Sequence, residues 1–118
     1  KTLQFDSDSF DSVYSNSILH HIPNPADFLS EAWRVLKPNG VLLIRDLFRP
    51  QTKEDALKLV KQYTDAEEQQ AQDLFFASLC AALRPEELVD IVEKIGVTDY
   101  KVVVDTDRHM SLQISAHK

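Results

Sequence analysis

Glycine is scarce in this 118-residue chain: Gly40 and Gly96 are the only two, and each falls where a helix should stop. No G-x-G element can be drawn, so these residues contain no backbone cradle through which main-chain amides could close on a phosphate or carboxylate. Cysteine occurs once, at Cys80, which makes an internal disulfide impossible. Its apolar surroundings suit a small buried hydrophobe, with a reactive thiol as the alternative. Basic residues are outnumbered, 13 against 19 acidic ones, for a net charge of -6, and they are scattered. Nucleic acid and anionic membrane surfaces are poor partners for such a chain, since both need basic patches. No apolar run approaches the length of a membrane span, and no basic-then-apolar leader opens the chain. The expectation is a soluble cytoplasmic protein. Lys1 stands where an initiating Met would, as in a trimmed or processed piece.

What is present alternates between strand and helix signals. Lys1 to Ser9 is polar apart from Leu3 and Phe5, and Phe10 to Asn16, with Val13 and Tyr14, reads as a strand. Ile18 to Pro23 is a loop or short helical turn. Asn24 then caps a helix with Pro25 at its first position and Asp27 in its first turn. Phe28, Leu29, Ala32, Trp33 and Leu36 share one face, Arg34 and Lys37 fall in the last turn, and Pro38-Asn39-Gly40 ends it. Val41-Leu42-Leu43-Ile44 is an unbroken apolar run, the pattern of a parallel strand buried on both faces. Strand, helix and strand make a βαβ unit.

Two helices should follow. Thr52 with Asp55 opens one that aligns Ala56, Leu57, Val60 and Tyr63. Thr64 with Glu67 opens the next, aligning Ala71, Leu74, Phe75, Ser78, Leu79 and Ala82. A further helix starts at Pro85, carries Leu88, Ile91, Val92 and Ile95, and ends at Gly96. Two alternating strands close the chain, Tyr100 to Asp105 and Met110 to Ala116, joined by a hairpin over Thr106 to His109.

These residues resemble a known family. Leu3 to Val13 is similar to the stretch leading into the fourth strand of class I S-adenosylmethionine-dependent methyltransferases. Ser15-Asn16-Ser17-Ile18-Leu19-His20-His21-Ile22 resembles the loop after that strand, close to the ubiquinone/menaquinone methyltransferase type. Leu29, Glu31 and Arg34-Val35-Leu36-Lys37-Pro38-Asn39-Gly40 resemble the family's helix and its exit, with Asn39 replacing a glycine. Asp46 and Arg49-Pro50 stand where the family often has an acidic residue and an Arg-Pro pair.

The resemblance implies a C-terminal half: residues 1–118 as a single partial methyltransferase domain, with a helical insertion over about 52–83. The implied fold is α/β, a partial Rossmann-like sheet of four strands in the family order fourth, fifth, seventh, sixth. The last strand of the chain should be antiparallel and inserted. The implied cofactor is S-adenosylmethionine, yet the family's glycine-rich turn and acidic ribose-binding residue have no counterpart here, so an isolated copy is expected to be inactive. By resemblance, Ser15, Asn16 and Ser17 face the cofactor's methionine portion or the methyl acceptor; otherwise they cap the next turn.

His20 and His21 are candidates for a general base or for orienting an acceptor, against a structural role for both. Adjacent histidines should point apart, and no third metal ligand stands at a recognisable spacing. Asp46 and Arg49 bind substrate or pair with one another. Phe75 and Phe76 line an acceptor pocket or simply pack.

A half sheet has a physical consequence. Its first strand should present an unpaired edge. The helices from Pro25 and Pro85 should share one face of the sheet, leaving the other to the Thr52 to Ala82 helices or to a second chain. Hence the expected partners: a homodimer or an N-terminal methyltransferase half, and a small-molecule substrate. The alternative is a non-catalytic, methyltransferase-like dimerisation or interaction module.

Overall fold

The computed structural model describes residues 5–17 and 19–118; the readings placed on Lys1 to Gln4 and on Ile18 lie outside the described residues. Strand β1 (Phe10–Asn16) leads through a 3₁₀ turn (Leu19–His21) into helix α1 (Pro25–Val35) and strand β2 (Leu36–Leu47). Helices α2 (Lys53–Thr64), α3 (Gln69–Ala81) and α4 (Pro85–Ile95) follow, then strands β3 (Tyr100–Val104) and β4 (His109–Ser115). They form one four-stranded sheet in the order β1-β2-β4-β3. β1 pairs parallel with β2, and β4 runs antiparallel to both its neighbours. Strand order and the inserted last strand are as the resemblance implied, and the hairpin is as the residues implied.

Helix starts follow their caps. Asn24 Oδ1 accepts from the Asp27 amide at 3.2 Å, and Thr52 Oγ1 accepts from the Asp55 amide at 3.1 Å. The exit from α1 differs from expectation. The helix ends at Val35, so Lys37 lies beyond it and Pro38-Asn39-Gly40 falls within β2. Pro38 disfavours helical geometry at the residue before it, and Asn39 takes a φ of 66° while donating its amide to the Ala116 carbonyl at 2.6 Å. Gly40 is required for space: a Cβ there would lie 2.9 Å from the Asp11 and Lys37 carbonyl oxygens. Gly96 does cap α4, at a φ of 99°.

Thr64 is not an N-cap. It is the last residue of α2, its hydroxyl donates to the Val60 carbonyl at 2.6 Å, and α3 begins later behind Glu68. The helical faces are correspondingly narrower than the apolar spacing implied. Ala56, Val60 and Leu79 are buried, but Leu57, Tyr63 and Leu74 are exposed.

The core lies on one face of the sheet. Leu42, Ile44, Met110, Leu112 and Ile114 pack there with Leu29 and Ala32 of α1 and Leu88 and Val92 of α4. Phe28 and Trp33 press against this cluster from its rim. A second cluster joins Leu47 at the end of β2 to Ala56, Val60, Leu79 and Ala82, with Phe75 and Phe76 half-buried against it. Those two phenylalanines therefore pack.

The opposite face of the sheet departs from the expectation of burial. Val41 is 53% exposed and Leu43 38%, with Tyr14 at 65% and Val103 at 40% on paired strands of the same face. α2 and α3 sit at the carboxyl end of β2 and leave this face bare. No helix among the described residues is long and apolar enough to cross a membrane.

Candidate functional site at the carboxyl edge of the parallel strands

β1 and β2 run side by side and deliver Ser15 to Ser17 and Asp46 to the same sheet edge. Ser17 leaves the strand with a φ of 60° and donates its amide to the Arg45 carbonyl at 2.8 Å. Its hydroxyl donates to Asn16 Oδ1 at 3.2 Å, on the surface. Ser15 is half-buried, while Asn16 and Ser17 are exposed.

The 3₁₀ turn then places His20 over Asp46, 26 residues away in sequence. The Asp46 carboxylate accepts three donors. The His20 amide reaches Oδ2 at 2.8 Å, the His20 ring Nδ1 reaches Oδ1 at 2.6 Å, and the Leu47 amide reaches Oδ1 at 2.7 Å. Both side chains are nearly sealed, at 6% and 3% exposure. An ionised carboxylate can only accept, so Nδ1 donates to it, and Nε2 is the ring nitrogen outside the pair. That arrangement fixes tautomer and orientation together, as an orienting carboxylate does for any catalytic or ligating imidazole.

His21 is exposed, and its ring lies 3.9 Å from that of His20 at an angle of 44°. The two rings touch because the tight turn folds them together; they do not point apart. Among the described residues no group of three or more His, Cys, Asp or Glu is placed to hold a metal ion.

Arg49 does not pair with Asp46. Asp46 is spent on His20 and Leu47, and Arg49 turns toward α4, where Nη2 meets Glu87 Oε1 at 2.7 Å. Glu87 Oε1 also accepts the Arg84 amide at 2.8 Å, so one carboxylate closes the start of α4 and holds Arg49. The Arg84 amide, then the Arg49 guanidinium, hold the Glu87 carboxyl below its ordinary value. Sequence reading missed Glu87. Its position three residues after the N-cap Arg84 was the available signal.

His109 was also missed. It sits opposite Leu47 on β4, with Nδ1 3.1 Å from Thr106 Oγ1. Burial, then the charges of Arg108 and Arg45, lower its pKa. Nearby, the Ser111 hydroxyl bonds the Asp105 carboxylate, which lies 3.9 Å from Arg45.

A parallel β1–α1–β2 unit, an inserted antiparallel final strand and polar residues at the carboxyl edge define the fold of the class I S-adenosylmethionine-dependent methyltransferases, as the motifs implied. Comparison with known proteins agrees. The methyltransferase domain family matches residues 1–44. An arsenite methyltransferase from Aquipseudomonas alcaligenes is 28% identical over 104 residues, covering 88% of this chain and 27% of that protein. Among solved structures, an arsenic(III) S-adenosylmethionine methyltransferase from Chlamydomonas reinhardtii superposes with a TM-score of 0.62 at 23% identity, over 98% of this chain and 40% of that one. Phosphoethanolamine N-methyltransferase 2 from Haemonchus contortus, solved with S-adenosyl-L-methionine, gives 0.71 at 16% identity, over 98% and 35%. The chain thus spans less than half the length of each of these relatives. The finer likeness to the ubiquinone/menaquinone type rests on the motif residues alone.

The residues present do not by themselves fit S-adenosylmethionine. Neither glycine is at the carboxyl edge: Gly40 is wedged against the Asp11 and Lys37 carbonyls, and Gly96 ends α4. The carboxyl edge itself carries the Ser15 to Ser17 loop and the His20–Asp46 pair.

Proposed function

We propose that residues 1–118 are the C-terminal portion of an S-adenosylmethionine-dependent methyltransferase acting on a small molecule, a single partial domain with a helical insertion over about 52–83. The glycine-rich turn for the cofactor comes from elements outside these residues. The observation that carries this reading is the buried His20–Asp46 pair at the carboxyl edge of two parallel strands, the edge where open α/β sheets take their ligands.

In this reading Ser15, Asn16 and Ser17 line the cofactor side, and His20 presents Nε2 toward the acceptor. Asp46 is the positioning residue for that ring. Arg49 serves the substrate side together with its Glu87 partner. Transfer from an activated sulfonium needs alignment above all, so an oriented ring and a fixed loop are a sufficient contribution from this half. The bare face of Val41, Leu43, Tyr14 and Val103 and the free edge of β1 support association with an N-terminal half or with a second copy.

Complementation tests the proposal. The chain is co-expressed with an N-terminal methyltransferase half that carries a glycine-rich turn, and transfer of a labelled methyl group to a panel of small acceptors is followed. Transfer by the pair, lost in His20→Ala, is the expected result. A stable complex without transfer to any acceptor would contradict it, and would favour the second reading: a non-catalytic dimerisation module built on the same bare face.

A further inference from the structure

Three cations meet where the segment after β2, the start of α2, the end of α3 and the start of α4 come together. A cavity of about 230 Å³ is lined by Arg49, Thr52, Lys53, Cys80 and Arg84 among others, with no carboxylate in its lining. In a chain of net charge -6 that concentration of one sign is against the average. Arg49 is already neutralised in part by Glu87, at 2.7 Å. Arg84 also feels the Glu87 charge, but among the described residues it makes no ion pair: Nη2 reaches the Gln51 carbonyl, at 3.3 Å, and Nε is buried without a hydrogen-bond partner. Buried donors of a guanidinium are rarely left unpaired, so this atom asks for an acceptor. Lys53 has no ion pair among the described residues, and with Thr52 it opens α2, a helix of 12 residues. The first-turn amides of Lys53 and Glu54 have no intrahelical acceptor, and the helix dipole adds positive potential there, offset in part by the exposed Glu54 and Asp55 carboxylates, which lie outside the cavity lining.

We infer that this cavity is a binding site for the oxyanion of a small molecule, a phosphate or carboxylate group, held by Arg84 and Lys53 with the first-turn amides of α2. A guanidinium fork matches either oxyanion. Arg49 contributes charge while its hydrogen bonds stay with Glu87 and the Ala82 carbonyl. If the methyl-transfer reading above holds, on which this one step rests, the oxyanion is the acidic end of the methyl acceptor, bound past the carboxyl end of β2. Binding itself does not rest on that reading.

The test uses the full chain titrated with inorganic phosphate at constant ionic strength, with acetate in parallel, followed by amide chemical shifts. Saturable shifts centred on Lys53 and Glu54 are expected, and the tighter of the two anions identifies the group taken. Arg84→Gln should weaken binding about tenfold or more, the loss of a charge-assisted bond. Lys53 is exposed, so Lys53→Gln leaves the fold intact and should weaken binding about threefold or more. Shifts that rise linearly with phosphate and are matched by chloride, or undiminished binding in both variants, would overturn the site. Absence of binding would leave methyl transfer untouched, whereas saturable binding would stand even if no acceptor were ever methylated.

Discussion

Asp46→Asn replaces the carboxylate beneath His20 with a group of the same shape. The native carboxylate accepts three N–H donors at 2.6 to 2.8 Å with 3% of its side chain exposed, so solvent can replace none of them. An amide has one oxygen. Placed at Oδ1 it keeps the Leu47 amide and the His20 ring, but its NH₂ then faces the His20 amide, donor against donor. Placed at Oδ2 it keeps the His20 amide, but its NH₂ then faces the Leu47 amide, donor against donor, and the ring keeps a bond only by moving its proton to Nε2. The first placement costs one charge-assisted bond, weakens two others and leaves a buried amide unsatisfied. Together that is about 3 kcal/mol, a fall of about 12 °C in Tm for a chain of this size. Urea unfolding at neutral pH, followed by circular dichroism, measures it. His20→Gln keeps the native carboxylate and both backbone bonds, so its loss should be about half as large. A loss under about 1 kcal/mol in Asp46→Asn would refute the reasoning, because it would mean the three bonds are replaceable.

Other substitutions probe the frame around the site. Gly40→Ala should cost about 1–3 kcal/mol, because the new methyl meets two backbone oxygens at 2.9 Å that cannot move aside; thermal unfolding reads it. Leu112→Ala, at a fully buried position between α4 and the sheet, should cost about 2–5 kcal/mol in the same assay. Leu43→Lys, on the bare face, should change stability by less than about 0.5 kcal/mol yet abolish the proposed association, which light scattering reads. Glu87 has a lowered carboxyl pKa, so its stabilisation is present above the ordinary value of 4.5 and fades as pH falls through the lower folded value. Glu87→Gln should flatten that acid limb, which a series of melts below pH 5 would show.

The strands and most helix starts were legible because each has a local signal, whereas the strand order came from the family resemblance. Asn24, Thr52 and Pro85 announce their helices, and the alternation of Met110, Leu112, Ile114 and Ala116 sets the face of β4. What failed was non-local. Val41 to Ile44 reads as buried on both faces, but only Leu42 and Ile44 find cover here, and a strand's own sequence cannot say which residues will lie over it. The site was half legible for the same reason. His20 and Asp46 were each picked out, yet their pairing spans 26 residues. Arg49 was read as binding substrate or pairing with Asp46, three residues away; the partner it takes, Glu87, is 38 away. Proximity along the chain was the wrong guide. Thr64 misled because a hydroxyl at a helix end can bond back to the preceding turn as readily as it caps the next helix.

The most direct measurement is a calorimetric titration of S-adenosylmethionine into the 118-residue chain alone. In the proposed function only one flank of the site lies in these residues, so no saturable heat is expected at any practical concentration. One cofactor per copy, bound with a Kd of about 10 μM or tighter, would contradict the claim that half of the site lies elsewhere.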